Sequence, residues 1–347
     1  MYLFDLKLSM KSIHHKTLQD LEFLTVLETI SNYCTTEMGK ELALEIEPFP
    51  NQEILEYKLA QTSEYNSSFT NNNVIPNHYF DAISHELKFL KIEDSYLDAS
   101  SFKKIATLVT TANELILYLK KFEDYYPKLN QRSSELEVNK IILQKIEQVL
   151  DKYGEIKDNA SVNLQSIRQT INVVRGKINQ SFGVALQQYN SLGYLDDIKE
   201  TIVDNRRVLA VLAMYRRKVK GSVLGQSKTG SIAYMEPETT FRFSRELSNL
   251  EFEEREEIMR ILKNLTNDVR IFVNELEDFQ EFLAEIDVIS GKAKYATRIN
   301  GILPKINNDK RLYFREAFHP ILYLNNKAKK KITYPQTIEL TNENRII

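Results

Sequence analysis

Apolar residues recur along most of this chain at three- and four-residue steps, the spacing of one helix face. Leu18, Leu21, Leu24, Leu27 and Ile30, followed by Leu42 and Ile46, mark amphipathic helices between Thr17 and Ile46, and Pro48 and Pro50 end that run. Residues 51–65 read as a further helix, and the polar stretch Asn66 to Asn77, centred on Asn71–Asn73, reads as a loop. Ser100 to Phe122 is helical behind Asp98 and Ser100 as candidate N-caps and stops before Tyr125–Tyr126–Pro127. A helix is expected from about Glu137 to Asp151. After Tyr153–Gly154 the stripe resumes at Leu164, Ile167, Ile171, Val174 and Ile178.

From Ile258 the apolar positions are Ile261, Leu265, Val269, Phe272, Leu276, Phe279, Leu283 and Ile286, steps that alternate as in a coiled-coil seam. A helix running from about Phe243 to Arg298 would span roughly 80 Å and needs a partner along its length. Segment 161–195 is the expected antiparallel partner, since the connection between the two is short. That connection is β-prone. Arg207 to Ala213 follows Asp204–Asn205, and Gly221 to Gln226 and Ser231 to Met235 flank Ser227–Lys228–Thr229–Gly230, a hairpin turn, before Pro237 closes the unit. The last stretch, with Pro304, Pro320 and Pro335 and the apolar runs Ile321–Leu324 and Thr337–Leu340, reads as strands and turns. Its end at Arg345–Ile346–Ile347 reads as the start of a buried strand, hence the expectation of a truncated chain. The fold class expected is mainly α: a helical core, long antiparallel helices, a small β-rich tip and a C-terminal β segment.

Composition narrows the picture. The length of 347 residues suits two or three structural units, and 42% apolar residues can bury real cores. Only 10 Gly and 8 Pro favour long uninterrupted elements. The lone Cys34 has no internal disulfide partner and reads as a buried small group in a reducing cytosol. Without an 18-residue apolar run, and with Met1 to Lys11 interrupted by Asp5 and Lys7, neither a membrane span nor a secretory signal is expected. The chain reads as soluble and cytoplasmic.

A net charge of −2 names no partner, but its distribution is uneven. Between Asn205 and Lys228 stand Arg206, Arg207, Arg216, Arg217, Lys218, Lys220 and Lys228, with no acid among them. On a projecting β tip they would hold phosphates, with Ser222, Gln226, Ser227 and Thr229 as neutral donors. A solvated basic face is the alternative. Nothing here reads bases, so such binding is electrostatic. The acids of Glu251 to Glu257 read as the exposed face of a helix, relieved by Arg255 and Arg260, rather than a metal site. His14–His15, His78 and His85 lack companions at ligand spacing and read as surface residues, and His319–Pro320 suits a structural hydrogen bond. With no Gly-x-x-x-x-Gly-Lys, no Gly-x-Ser-x-Gly and no paired catalytic carboxylates, the chain has no self-contained catalytic or metal site to assign.

Several patterns together resemble the MutS family of ATPases, in particular its second bacterial branch, MutS type two. They are Lys16-Thr17-Leu18 with Leu21-Glu22-Phe23 and the run from Ser31 through Cys34-Thr35-Thr36 to Gly39-Lys40, then Gly154 to Ser161, Asp204 to Val211, Tyr215 to Gly221, Gly230 to Pro237, Phe318-His319-Pro320 and Tyr334 to Leu340. The resemblance covers about residues 16–347. It implies an extension at 1–15, a helical core domain at 16–136, ascending lever helices at 137–200, a basic clamp tip at 201–240, a descending lever helix at 241–298 and the start of an ATPase domain at 299–347. It further implies ATP and magnesium for the full-length protein and a homodimer through its ATPase domain. Branched DNA and the ribosome are the implied partners, in suppression of homologous recombination with a nuclease, and in binding and splitting collided ribosomes. Mismatch reading is not implied. Tyr334 loosely matches a place where relatives hold adenine. The competing class is a coiled-coil adaptor whose basic tip binds an acidic protein.

Overall fold

The computed structural model describes residues 15–49, 51–309, 311–341 and 343. His14, the side chain of His15, Pro50, the run Met1 to Lys11 and Arg345–Ile347 lie outside them. In chain order the described elements are α1 (His15–Asp20), α2 (Phe23–Tyr33), α3 (Glu37–Leu44), α4 (Gln52–Ser67), α5 (Ser84–Leu90), α6 (Ala99–Lys121), α7 (Pro127–Ser133), α8 (Ile141–Val149) and α9 (Val162–Ser191). Four strands follow, β1 (Leu195–Val203), β2 (Arg206–Leu212), β3 (Gly221–Gln226) and β4 (Ile232–Pro237). Then come α10 (Glu238–Arg270), α11 (Val273–Arg298), β5 (Leu312–Ala317), α12 (Pro320–Ala328) and β6 (Gln336–Leu340). The chain is mainly α with a small β-rich part. It forms two compact units, one of Met1–Glu93, Ser100–Gln144 and Val269–Ile347, the other of Asp94–Ala99 and Lys145–Asp268.

In the first unit α11 is the central element. Its residues Leu276, Phe279, Phe282, Leu283, Ile286 and Ile289 are buried, and α2, α3, α4 and α5 pack around it. From Phe282 to Gly291 every residue of α11 but the half-buried Glu285 is buried, as befits a helix inside a core. The stripe that reads as one coiled-coil seam therefore changes role: Leu276 and the residues after it meet the helices of this unit. The expected continuous helix is also broken at Ile271–Phe272, where Phe272 leaves helical geometry (φ −100°, ψ 14°). At the break Arg270 donates to the carbonyls of Leu90 and Ile92 (2.8 and 2.9 Å), a cation at the C-terminal end of α5.

A buried carboxylate lies on α11 of this unit. Asp287, fully buried, accepts from the backbone N–H of Thr35 (2.9 Å) and Thr36 (2.8 Å) and from both their hydroxyls, and lies 3.4 Å from His78 Nε2. Thr36 in turn caps α3, its Oγ1 accepting from the Gly39 N–H at 2.9 Å. Burial pushes the Asp287 carboxyl up, but the hydrogen bonds from His78, Thr35 and Thr36 outweigh it and hold the group well below its usual range. His78 is thus a core residue and not a surface one, whereas His85 is exposed. Cys34 is buried, and desolvation, with the nearby Asp287 charge, pushes its thiol up to about 12, which keeps it protonated and inert.

Towards the C-terminus β5 and β6 pair antiparallel, Phe314 opposite Ile338. Ile321–Leu324, which reads as a strand, lies in α12: Pro320 takes the first helical position and His319 Nδ1 caps the Leu322 N–H (3.4 Å). A four-residue apolar run cannot distinguish strand from helix; the cap and the proline decide it.

In the second unit α9 and α10 run antiparallel, tied by a ladder of polar pairs. Ser161 caps α9 at Leu164 N–H (3.0 Å) and also donates to Glu257 (2.5 Å). Asn163 donates to Glu257 (3.1 Å), Arg168 pairs with Glu254 (2.7 Å) and Arg175 with Glu251 (3.3 Å). Glu251, Glu254 and Glu257 stand three residues apart on one face. They are the inner seam of the pair rather than a purely exposed acidic face; only Glu253 and Glu256 stand in solvent. Arg260, then burial working against it, then Ser161 and Asn163 set the Glu257 carboxyl, which is held down to about 2. Among the described residues no three His, Cys, Asp or Glu side chains converge as a metal-binding group.

Candidate nucleic-acid interface

The four-stranded sheet has the order β1-β2-β4-β3, all neighbours antiparallel. Its first hairpin turns on Asp204 and Asn205, both left-handed (φ 47° and 60°), the geometry that matches the twist of paired strands. β1, unrecognised in the sequence because Asp196, Asp197, Lys199 and Glu200 interrupt its apolar pattern, is an edge strand with a bulge between Leu195 and Glu200. Acids on an edge suit solvent. The other hairpin spans Ser227–Ser231, with Gly230 at φ 70° and the Ser227 hydroxyl accepting from Ile232 N–H (3.1 Å).

Because β4 lies between β2 and β3, the chain leaving β2 at Leu212 must cross β4 to begin β3 at Gly221. This crossover, residues 213–220, carries Arg216, Arg217, Lys218 and Lys220, all exposed. Its backbone is pinned at several points. Ala213 N–H donates to Ser231 O (2.9 Å), Lys218 N–H to Tyr215 O (2.8 Å) and Lys220 N–H to the Tyr189 hydroxyl (3.1 Å). Val219 is buried in the cluster that Phe182, Ala185 and Tyr189 of α9 form with Leu209, Val211, Ala233 and Met235 of the sheet. Tyr194 stacks on Tyr215 at 4.6 Å, and the Lys218 ammonium lies 5.7 and 5.5 Å from the two ring centres.

The seven cations of the sequence pattern therefore separate into groups. Arg206 pairs with Glu236 (3.0 Å), a side chain only 1% exposed, and so joins β2 to β4. Arg207 pairs with Glu200 (2.7 Å), donates to Asn179 (2.9 Å) and lies 4.3 Å from the Phe182 ring centre, joining β2 to β1 and α9. Arg216, Arg217, Lys218 and Lys220 share the crossover, and Lys228 is exposed in the β3–β4 hairpin. That hairpin lies at the end of the sheet where the crossover starts, since Leu212 faces Ile232. Tyr189, Tyr194 and Tyr215, absent from the sequence-based set, hold the crossover in place; their signal was aromatic residues flanking a basic run. Tyr334 stands 76% exposed in the connection between α12 and β6, beside Ile332 at 75%.

A mainly helical chain with an antiparallel helix pair, a small sheet and a cationic crossover is the class these features define. No family model matches the chain. It is 28% identical over 332 residues to "Endonuclease MutS2" of Staphylococcus saprophyticus, covering 94% of this chain and 42% of that protein. To "Endonuclease MutS2" of Ligilactobacillus salivarius it is 30% identical over 323 residues (92% and 41%), and to that of Carboxydothermus hydrogenoformans 27% over 326 (94% and 41%). It is a MutS2-like chain, and it spans about two fifths of the length of these relatives.

Proposed function

We propose that this chain is the nucleic-acid-gripping part of a MutS2-type protein, with the crossover 213–220 as the contact. The observation that carries the reading is the contrast within the basic cluster: Arg206 and Arg207 are engaged by Glu236 and Glu200, while Arg216, Arg217, Lys218 and Lys220 stand exposed on a pinned backbone. Exposed cations at fixed spacing suit phosphates, whose repeat is fixed too, and the side chains offer no constellation for base reading. The substrates proposed are branched DNA and ribosomal RNA, in suppression of recombination and in splitting collided ribosomes. That the relatives are endonucleases by name supports the nuclease connection for the longer protein.

ATP, magnesium and a homodimer are proposed for that longer protein alone. Tyr334 offers an exposed ring for adenine to stack on, and the sequence has no phosphate-cradling glycine loop beside it. The test is a titration of branched DNA, duplex DNA and ribosomes against salt. Log affinity should fall linearly with log salt, at about 0.9 per phosphate contact on duplex DNA. Absence of binding to all three at low salt would favour the adaptor reading.

A further inference from the structure

The first unit contains a cleft of 1310 Å³ between α3, α4, α7 and α11, larger than the roughly 300–1,000 Å³ of small-molecule sites. Met38, Leu42, Ile54 and Leu136 line it and are each half-buried, an apolar floor left partly open. Its charged residues are unbalanced: six carboxylates against three cations line it. One of those cations, Arg132, is taken up by Glu285 (3.0 Å) and Glu135 (2.9 Å). Asp278 and Glu281 on α11 and Glu53 on α4 are exposed and have no ion pair among the described residues. Burial first, then the neighbouring charges of Asp278 and Glu285, push the Glu281 carboxyl up. Behind the wall the fully buried Gln61 donates to the Tyr57 hydroxyl (3.2 Å), and its Oε1 has no partner among the described residues.

We propose that this cleft docks a basic amphipathic helix of a protein partner, its apolar face on Met38, Leu42, Ile54 and Leu136 and its lysines or arginines against Asp278, Glu281 and Glu53. An apolar floor with a carboxylate rim is complementary to that chemistry and repels phosphate, so nucleic acid is not the occupant. A lone metal ion is not the occupant either, since no three ligating side chains converge among the described residues. The site is independent of the crossover.

The experiment uses a fluorescein-labelled helix of leucine and lysine, about five turns long, and its counterpart with glutamate in place of lysine. Anisotropy should show the lysine peptide binding the full chain, more weakly as salt rises, and the glutamate peptide not binding. The double variant Asp278→Asn/Glu281→Gln should weaken it about tenfold. Since it removes like-charge repulsion, its melting temperature should be unchanged or higher, so a folding defect is recognisable. Arg216→Ala/Arg217→Ala should leave the peptide affinity unchanged. Equal affinity for wild type and the double variant, equal binding of the two peptides, or no binding at all would overturn the proposal.

Discussion

At the scale of single residues, three buried carboxylates carry strong conditions. Among the described residues Arg206 is the only ion-pair partner of Glu236, and Glu236 is nearly inaccessible. Arg206→Ala should cost about 3 kcal/mol in urea unfolding by leaving a buried charge unpaired, and adding Glu236→Gln should recover most of it. No recovery would mean that Arg206 acts through its aliphatic stem. Asp287 and Glu257 make an acid-side prediction. Both are held below their ordinary values in the fold, so the unfolded chain binds the more protons as pH falls. Their contribution is complete above the unfolded value, near 4. For Glu257 it is lost as pH falls from there towards about 2, and for Asp287 it declines over the same acid range. Asp287→Asn should therefore flatten the acid limb of a stability–pH curve measured by urea titration. An unchanged limb would show that the hydrogen bonds to Thr35 and Thr36 do not depend on charge.

The run Thr35-Thr36-Glu37-Met38-Gly39, part of the family resemblance, has its physical reason in Asp287, 248 positions further along from Gly39. A Cβ on Gly39 would lie 2.3 Å from Asp287 Oδ2. The sequence offered no sign of this, because the two parts meet only in the fold. Gly176 and Gly183 in α9 are the contrast, with nothing within 4 Å of an added Cβ. Gly39→Ala should destabilise despite the better helix propensity of alanine, whereas Gly176→Ala should stabilise by about 0.5–1 kcal/mol, both read as unfolding midpoints.

At the scale of elements, periodicity located most helices but not their partners. α4, α6 and α9 lie within a few residues of their expected spans, and two of them have a definite start: Asn51 caps α4 at Glu53 N–H (2.7 Å) and Ser161 caps α9. α8 begins at Ile141 rather than near Glu137 because Asn139 is its cap, accepting from Ile141 N–H at 2.8 Å. The seam from Ile258 onward kept its period while its surroundings changed, and period alone carries no information on which neighbour is met. Polar contacts decided the true pair, Ser161, Arg168 and Arg175 with Glu257, Glu254 and Glu251. Ser161→Ala removes both an N-cap and a donor to buried Glu257 and should cost about 1–2 kcal/mol, measurable by urea denaturation. A loss below about 0.5 kcal/mol would mean that solvent replaces both bonds.

At the scale of the whole molecule, the proposed grip and the stability are separable, because the cations that face solvent are not those that hold the sheet. The basic cluster was legible as seven residues; its separation was not, since the acids that engage Arg206 and Arg207 lie at Glu236 and Glu200, outside the cluster. Arg216→Ala/Arg217→Ala/Lys218→Ala removes exposed charges, of which only the Lys218 ammonium lies near the stacked Tyr194 and Tyr215. Helical content and the unfolding midpoint should hold to within about 0.5 kcal/mol, as for surface substitutions elsewhere. Affinity for branched DNA should fall, and the slope of log affinity against log salt should shrink by about 0.9 for each phosphate contact removed. Arg207→Ala should behave differently, losing stability along with affinity, because its guanidinium lies over Phe182 and bonds Glu200 and Asn179. If the triple variant instead lowered the midpoint as Arg207→Ala does, the crossover would be part of the core that Val219 enters. If it left both affinity and slope unchanged, the contact with nucleic acid would have to lie elsewhere on the chain.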